Sequence, residues 1–375
     1  MMGKRLRVGV IFGGRSVEHE VSLVSARSIV THLDAERYEV IPIGITRRGK
    51  WVTARDAGTL LADGLESAAA RPCFLPPDPE VGGLLSLSPG SEPEVSSLDV
   101  IFPIVHGGQG EDGTLQGLLE LANLPYVGAG VLASCVGMDK DVMKRVFREV
   151  GLPVVESRTL FRSAWEARRG EVLARLPGDL GYPCFVKPAN TGSSVGITKA
   201  KTARDLEEGL DRAFRFDRKA VVERGIDARE IECSVLGNEE PVASIPGEII
   251  PCNEFYDYEA KYLAEGSQLL IPAPLPPAVA EEVRRLAVAA FMALNGSGMA
   301  RVDFFVDRKS GSVALNEVNT LPGFTPISMY PKLWEASGLA YPRLLDRLID
   351  LALERHRDKE RSVSEFRPVS GAQLP

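Results

Sequence analysis

The sequence predicts a protein of mixed α/β and α+β class, built from two or three domains with a parallel sheet in the first third. Three observations carry this. At roughly 150 residues per domain, 375 residues make two or three units. The apolar, β-branched run 6–12 meets Gly13-Gly14 and then helical spacing over 18–33, which reads as strand, glycine turn and helix. After Val127-Gly128-Ala129-Gly130 the pattern changes, and short strands take over.

The elements follow in order. Residues 99–105 read as a strand, followed by a glycine-rich loop and a helix over 114–122, a βα pattern that asks for a parallel sheet. Between these strands, 62–97 is dense in Pro, Gly and Ser and is expected to be an insertion of loops and short edge strands. A helix over 133–150 leads through Gly151-Leu152-Pro153 into a second unit with strands at 184–188, 195–199 and 220–223. Thr202 caps a helix over 203–214 between the last two. From about Asp227 strands dominate, at 230–236, 242–250, 301–306 and 312–319, with helices at 278–294 and 341–355. The tail 357–375 is polar, lacks an apolar period and is expected to fray. The expected domains are 1–128, 129–226 and 227–375.

Composition narrows the function. Charged residues at 25% and hydrophobic ones at 44% are those of a globular chain and exclude a disordered or collagenous one. A net charge of -7 with dispersed Lys and Arg argues against a nucleic-acid surface. No run approaches the ~18 apolar residues of a membrane span, and the apolar stretch before Gly13 is too short for a signal-peptide core. No membrane partner and a cytoplasmic location are therefore expected. Cys73, Cys135, Cys184, Cys233 and Cys252 are odd in number and lack CxxC spacing, so buried thiols are expected rather than disulfides or zinc.

Three motif matches mislead. Gly108-Gln109-Gly110-Glu111-Asp112-Gly113 fits the dinucleotide pattern, but Glu111 and Asp112 sit where a pyrophosphate needs bare backbone N–H groups. Residues 44–50 fit GxxxxGK, yet Trp51 replaces the hydroxyl that would hold magnesium. Gly192-Ser193-Ser194-Val195-Gly196 fits the serine-hydrolase elbow, which requires a helix immediately after it. A strand-like stretch follows instead, and the only downstream histidine is His356. A serine hydrolase remains an alternative. The loop's Gly and Ser composition better suits covering phosphates.

The chemistry concentrates near the C-terminal end. Arg301-Val302-Asp303-Phe304-Phe305 and Leu315-Asn316-Glu317-Val318-Asn319 both alternate polar and apolar residues. A three-residue loop over 309–311 with Gly311 left-handed would place Asp303 opposite Glu317 and Arg301 opposite Asn319, all on one face. Facing carboxylates repel unless a positive charge lies between them, so Asp303, Glu317 and Asn319 suit magnesium, a hard cation on oxygen ligands. The plain structural alternative is a solvated face closed by Arg301. Lys140 early in a helix, Lys187 at the end of an apolar strand and Lys261 in a loop are suited to phosphates. Together with the Ser/Gly loop and the hairpin they read as a nucleoside triphosphate site.

With these residues in view, the chain resembles the D-alanine–D-alanine ligase family of the ATP-grasp superfamily. The resemblance runs nearly end to end: GGRSVEHEVSL at 13–23, HGGQGEDGTLQG at 106–117, MDK at 138–140, VKPANTGSSVG at 186–196, FYDYEAKY at 255–262, RVDFF at 301–305 and NEVNTLPGFTPIS at 316–328. It implies a three-domain ATP-grasp architecture: an N-terminal parallel-sheet domain, then two α+β domains that sandwich ATP.

It also implies roles. Lys140, Lys187 and Lys261 would hold ATP phosphates under Ser193 and Ser194, with Glu223 and Glu230 on adenine and ribose. Asp303, Glu317 and Asn319 would hold two Mg2+ ions, with Mn2+ able to substitute. Arg301 and the Gly323 N–H would stabilise a tetrahedral oxyanion. Glu18 would bind the ammonium of the first D-alanine and Ser328 the carboxylate of the second. His106 and Glu111 would line the first-substrate side, or His106 would only structure its loop. Residues 255–266 would form a lid in which Tyr262 bonds Ser193 and Ser193 reaches Glu18. A homodimer is implied. Rival readings are a D-alanine–D-lactate or D-alanine–D-serine ligase, against which Glu259-Ala260-Lys261-Tyr262 looks like the dipeptide-forming type, and a nucleotide-binding regulator without turnover.

Overall fold

The computed structural model describes residues 4–88, 90, 92–250 and 268–362. β1 (Leu6–Gly13) lies parallel between β2 (Tyr38–Ile45) and β7 (Val100–Pro103). Both of its faces are covered, which is why its sequence is a continuous apolar run rather than an alternating one. Val8, Val10 and Phe12 face one core, which also takes Ala26 and Ile29 of α1 (His19–His32). Ile11 faces the other, with Leu115 and Leu119 of α3 (Thr114–Leu121). At the β1–α1 turn Gly13 has φ +92°, and a Cβ there would lie 2.2 Å from the Ile45 carbonyl oxygen, so only glycine fits.

Past β2 the sheet continues antiparallel through β3 (Trp51–Thr53), β4 (Arg71–Phe74), β5 (Gly83–Ser86) and β6 (Glu94–Ser97). The Pro- and Gly-rich insertion thus supplies short edge strands. Just before it lies a helix the sequence did not announce, α2 (Ala57–Asp63), whose cap Asp56 accepts from the Thr59 N–H at 2.8 Å.

The single helix expected over 133–150 is two. α4 (Val131–Met138) ends at Asp139, which is extended and accepts from the N–H groups of Asp141 and Val142 to start α5 (Lys140–Glu149). An aspartate is a strong N-cap, so the break costs little and sets Lys140 on the first turn. Residues 129–150 were expected to open the second unit. They bury Ala129, Ala133, Met143 and Phe147 in the core around the third sheet.

The second sheet runs β10-β9-β11-β8, all antiparallel, from β8 (Ser157–Phe161), β9 (Cys184–Pro188), β10 (Thr198–Ala200) and β11 (Lys219–Arg224). β10 starts later than expected because the turn through Gly196 consumes the preceding residues. β8 and α6 (Arg162–Leu180) escaped the sequence reading: α6 breaks at Arg168 and carries Pro177, so no steady helical period runs through it. α7 (Ala203–Phe216) opens with the capping box of Thr202 and Asp205. These elements enclose a core of their own, from Leu160 and Trp165 to Val222.

The third sheet has the order β15-β14-β12-β16-β17, with β13 paired to β12: β12 (Ala228–Gly237), β13 (Val242–Ala243), β14 (Gly247–Ile250), β15 (Gln268–Leu270), β16 (Gly298–Asp307) and β17 (Val313–Asn319). The strand expected over 242–250 divides at 244–246, where Pro246 has no N–H for a ladder. α8 (Pro277–Ala293) covers this sheet through Val283, Leu286 and Phe291.

After α9 (Met329–Ala336), α10 (Tyr341–Glu360) runs past the expected fraying point: Lys359 pairs with Glu120, and Asn123 donates to Glu360 at 2.9 Å. Leu344, Leu345, Leu348 and Ile349 of α10 pack into the same core as Val8, Val10 and Phe12. Arg355 lies 4.3 Å over the Tyr126 ring and donates to Tyr126 O, Gly128 O and Ser297 Oγ. Cys73, Cys184 and Cys233 are buried as expected; Cys135 is exposed, a correction, and Cys252 lies outside the described residues. No described helix is long and apolar enough to cross a membrane.

Candidate active site

The β16–β17 hairpin presents the expected face by an unexpected route. Asp307 N–H donates to the Ser312 carbonyl, so the loop is the four residues 308–311, with Gly311 at φ +71°. Pairing near the tip is one residue off the expectation, at Phe305 with Ala314 and Phe304 with Leu315. A bulge then leaves Asn316 unpaired and restores Asp303 opposite Glu317 and Arg301 opposite Asn319.

Arg301 supplies positive charge beside the carboxylates of this face. Its Nε and Nη2 donate to the two oxygens of Asp303, each at 2.8 Å, and Nε lies 3.1 Å from Glu232 of β12. Burial disfavours its charge, but Asp303 and Glu232 hold its pKa well above the ordinary arginine value. Asn319 donates to Asp303 at 3.0 Å. Two carboxylates and an amide oxygen match the donor preference of magnesium. Among the described residues no group of three His, Cys, Asp or Glu side chains could hold a metal ion.

The lysines converge on the same face. Lys140 donates to the Thr191 carbonyl at 2.9 Å and pairs with Glu317 at 3.2 Å. Lys187 on β9 lies 2.7 Å from Glu223 of β11 and donates to Asn316 Oδ1 at 3.2 Å. Lys144, which sequence reasoning passed over, lies 3.0 Å from the other oxygen of Glu223 and donates to Asn316 O at 3.1 Å. Burial opposes ionisation of Glu223, yet these two ammonium groups bring its carboxyl down to about 2. Burial lowers the pKa of Lys144. It acts against Lys187 too, but the charges of Glu223 and Glu317 raise that group.

On the opposite rim Ser193 and Ser194 are both left-handed, at φ 47° and 57°, and Ser193 Oγ donates to Glu18 at the start of α1. That serine faces a carboxylate and is followed by β10, so it is not a hydrolase elbow. His106 is buried, with Nδ1 3.2 Å from Leu321 O and 3.6 Å from Glu111, and Nε2 3.3 Å from Ser25 Oγ. Burial would lower its pKa, but Glu111 raises it. Glu111 also bonds the Gly107 N–H at 3.2 Å, so its carboxylate structures the loop that mimicked a dinucleotide motif. A Cβ at Gly323 would lie 2.7 Å from Ser328 Oγ, which puts these two side by side.

Two adjoining cavities result. One of about 750 Å³ takes in Lys140, Lys187, Ser194, Glu223, Glu230 and Asp303; one of about 90 Å³ takes in Glu18, His106, Arg301, Asn319, Gly323 and Ser328. Ser193, Glu232 and Glu317 line both. Lys261 and Tyr262 lie outside the described residues. A further cavity of about 690 Å³, between α10 and residues 237–240, is lined by none of the expected site residues. Of the residues the sequence reading missed, Lys144 could have been found from its spacing four after Lys140 on one helix face. Glu232 could have been found from its spacing two after Glu230 in a strand.

Comparison with known proteins adds the following. Residues 7–129 match the family model described as D-ala D-ala ligase N-terminus, and 146–350 the one described as D-ala D-ala ligase C-terminus. The chain is 53% identical to a D-alanine–D-alanine ligase of Heliobacterium modesticaldum over 96% of this chain and 98% of that one, and 52% identical to one of a Thermoanaerobacter species over 95% and 99%. Among solved structures it is similar to the D-alanine–D-alanine ligase of Coxiella burnetii, with TM-score 0.84, 42% identity, and 96% and 97% of the two chains covered. It is also similar to the VanG D-Ala:D-Ser ligase of Enterococcus faecalis, with TM-score 0.83, 36% identity, and 93% and 100% covered.

Proposed function

The chain belongs to the D-alanine–D-alanine ligase family, and on that premise we propose how its residues divide the work. It is an ATP-dependent ligase that joins two D-alanine molecules. We read the dipeptide as a peptidoglycan precursor and the protein as a cytoplasmic homodimer. Residues 1–128 serve the first-substrate side, and 129–226 and 227–375 form the two sides of the ATP site, with 129–150 packed against the third sheet.

A carboxylate is a poor electrophile, so it must first be activated. A carboxylate oxygen of the first D-alanine attacks the γ-phosphorus, the bond to the β-phosphate oxygen breaks, and ADP leaves. The amine of the second D-alanine, having lost its proton, attacks the acyl carbon of the D-alanyl phosphate. The resulting oxyanion collapses, and the C–O bond to phosphate breaks.

Lys140, Lys187 and Lys261 hold the phosphates beneath Ser193 and Ser194, and Glu223 and Glu230 receive adenine and ribose. Glu18, fixed by Ser193, takes the first ammonium, and Ser328 the second carboxylate. Arg301 and the Gly323 N–H meet the oxyanion, a charge present only late in the reaction. Asp303, Glu317 and Asn319 supply oxygen ligands for divalent cations; we assign two Mg2+, replaceable by Mn2+. Such ions neutralise charge on the transferring phosphoryl group.

The observation that carries this reading is the convergence of Lys140, Lys187, Arg301, Asp303 and Glu317 on one face, beside the Glu18–Ser193 pair. The test is ADP release with ATP, magnesium and candidate amino or hydroxy acids, alone and in pairs. Release should require D-alanine and magnesium and fail with L-alanine; equal rates with L-alanine would overturn the assignment.

A further inference from the structure

Glu223 is held by two lysines that differ in what else they can do. Lys187 lines the large cavity, on a strand of the second sheet. Lys144 is only 1% exposed at its side chain and projects from α5, whose Met143 and Phe147 are packed in the core of the third sheet. Both lysines also bond Asn316, Lys144 through the backbone carbonyl and Lys187 through Oδ1. The bulge that frees Asn316 from pairing therefore gives each ammonium a second acceptor. Of the two, only Lys187 faces space a ligand can enter.

A buried carboxylate stripped of its counter-ion is strongly destabilised. If Lys187 were the sole partner of Glu223, every phosphate that recruited it would strip that carboxylate. We propose that Lys144 is a positioning residue, the resident counter-ion that keeps Glu223 compensated and so releases Lys187 to the phosphates of ATP. The inference rests on the reading that Lys187 holds phosphate. Lys144 itself touches no substrate. Its exchange partner is Lys187, and its contribution is confined to ligands that carry phosphate.

The test is calorimetric titration of the full chain with MgATP and, separately, with adenosine. Lys187→Met should weaken MgATP binding but not adenosine binding; if it leaves both unchanged, the phosphate reading falls and the proposal with it. Given that loss, Lys144→Met should weaken MgATP about tenfold and adenosine less than about twofold, a coupling typical of residues in one ion network. Adding Glu223→Gln removes the buried charge that needed compensation, so Lys144→Met in that background should alter MgATP affinity by less than about threefold relative to Glu223→Gln alone. An unchanged MgATP affinity in Lys144→Met, an equal loss for both ligands, or a tenfold loss that persists in the Glu223→Gln background overturns the proposal. Should Lys144→Met fail to fold, the proposal requires that Glu223→Gln restore folding to the double variant and that its MgATP affinity stay within about threefold of Glu223→Gln; a double variant that stays unfolded or loses about tenfold overturns it.

Discussion

The two walls of the site rest on different foundations. Arg301, Asp303, Glu317 and residues 321–328 belong to a body in which the ends of the chain share a core: Phe12 and Phe102 pack with Phe324, Tyr330 and Leu345. Lys187 and Glu223 belong to the second sheet and Ser193 to the loop between two of its strands; among the described residues the core of that sheet draws on Leu160 to Val222. Polar contacts cross the gap: Lys187 to Asn316, Ser193 to Glu18, Glu223 to Lys144, and Lys219 to Asp139 and Asp141. Apolar packing fixes a geometry, whereas ion pairs can be traded for ligand charges. The wall proposed to hold metal and oxyanion is thus the rigid one, and the wall proposed to grip nucleotide is joined by replaceable contacts.

The largest test of this contrast is on the rigid wall. Glu317→Ala should cost orders of magnitude in turnover at saturating magnesium, since ligand and lysine charge act together on the transferring phosphoryl group. Near-normal turnover would break the hairpin assignment. Arg301→Met should lower kcat by ~10²–10³, about 2.7–4 kcal/mol, while ATP affinity by titration changes little. A large loss of ATP binding with intact turnover would move Arg301 to the phosphates.

Leu345→Ala and Leu210→Ala each remove a fully buried side chain, one from the shared core and one from the separate core, and each should cost about 2–5 kcal/mol. Hydrogen exchange should differ between them. Leu345→Ala should loosen β1 and α10 together, and Leu210→Ala only residues 157–224; equal loosening of β1 by both would erase the distinction. The smallest effect is confined to acid. Glu223 has its pKa lowered from 4.5 to about 2, so its ionisation contributes stability that is complete above 4.5 and is lost as pH falls toward about 2. The stability difference between the parent and Glu223→Gln should therefore be level near neutrality and shrink below 4.5. A flat difference throughout would show that the lysines do not hold that carboxylate ionised.

Much of this was legible beforehand, and for local reasons. Alternation in 301–305 and 315–319 announced one shared face, and Thr202 announced a helix start, whose capping box Asp205 completes in the structure. The bulge at Asn316 was not legible, because a loop of three or four residues with Gly311 left-handed suits the same string and only the tertiary fit chooses between them. Lys144 looked like any polar residue of an amphipathic helix; its burial depends on Glu223, far along the chain on another sheet. α6 was hidden by its own break at Arg168. That the last helix completes the first core is a contact across nearly the whole chain, and no window of sequence contains it.

That last contact sets a timetable for biosynthesis. The strands β1, β2 and β7 leave the ribosome early, but α10, which covers Val8, Val10 and Phe12, emerges roughly 240 residues after β7, some ~12–48 s later at ~5–20 residues per second. The second sheet, self-sufficient in its core, can close during that interval. These strands are therefore among the last elements to be finished, and until then the part of their apolar face that α10 covers stands open to chaperones and to neighbouring nascent chains.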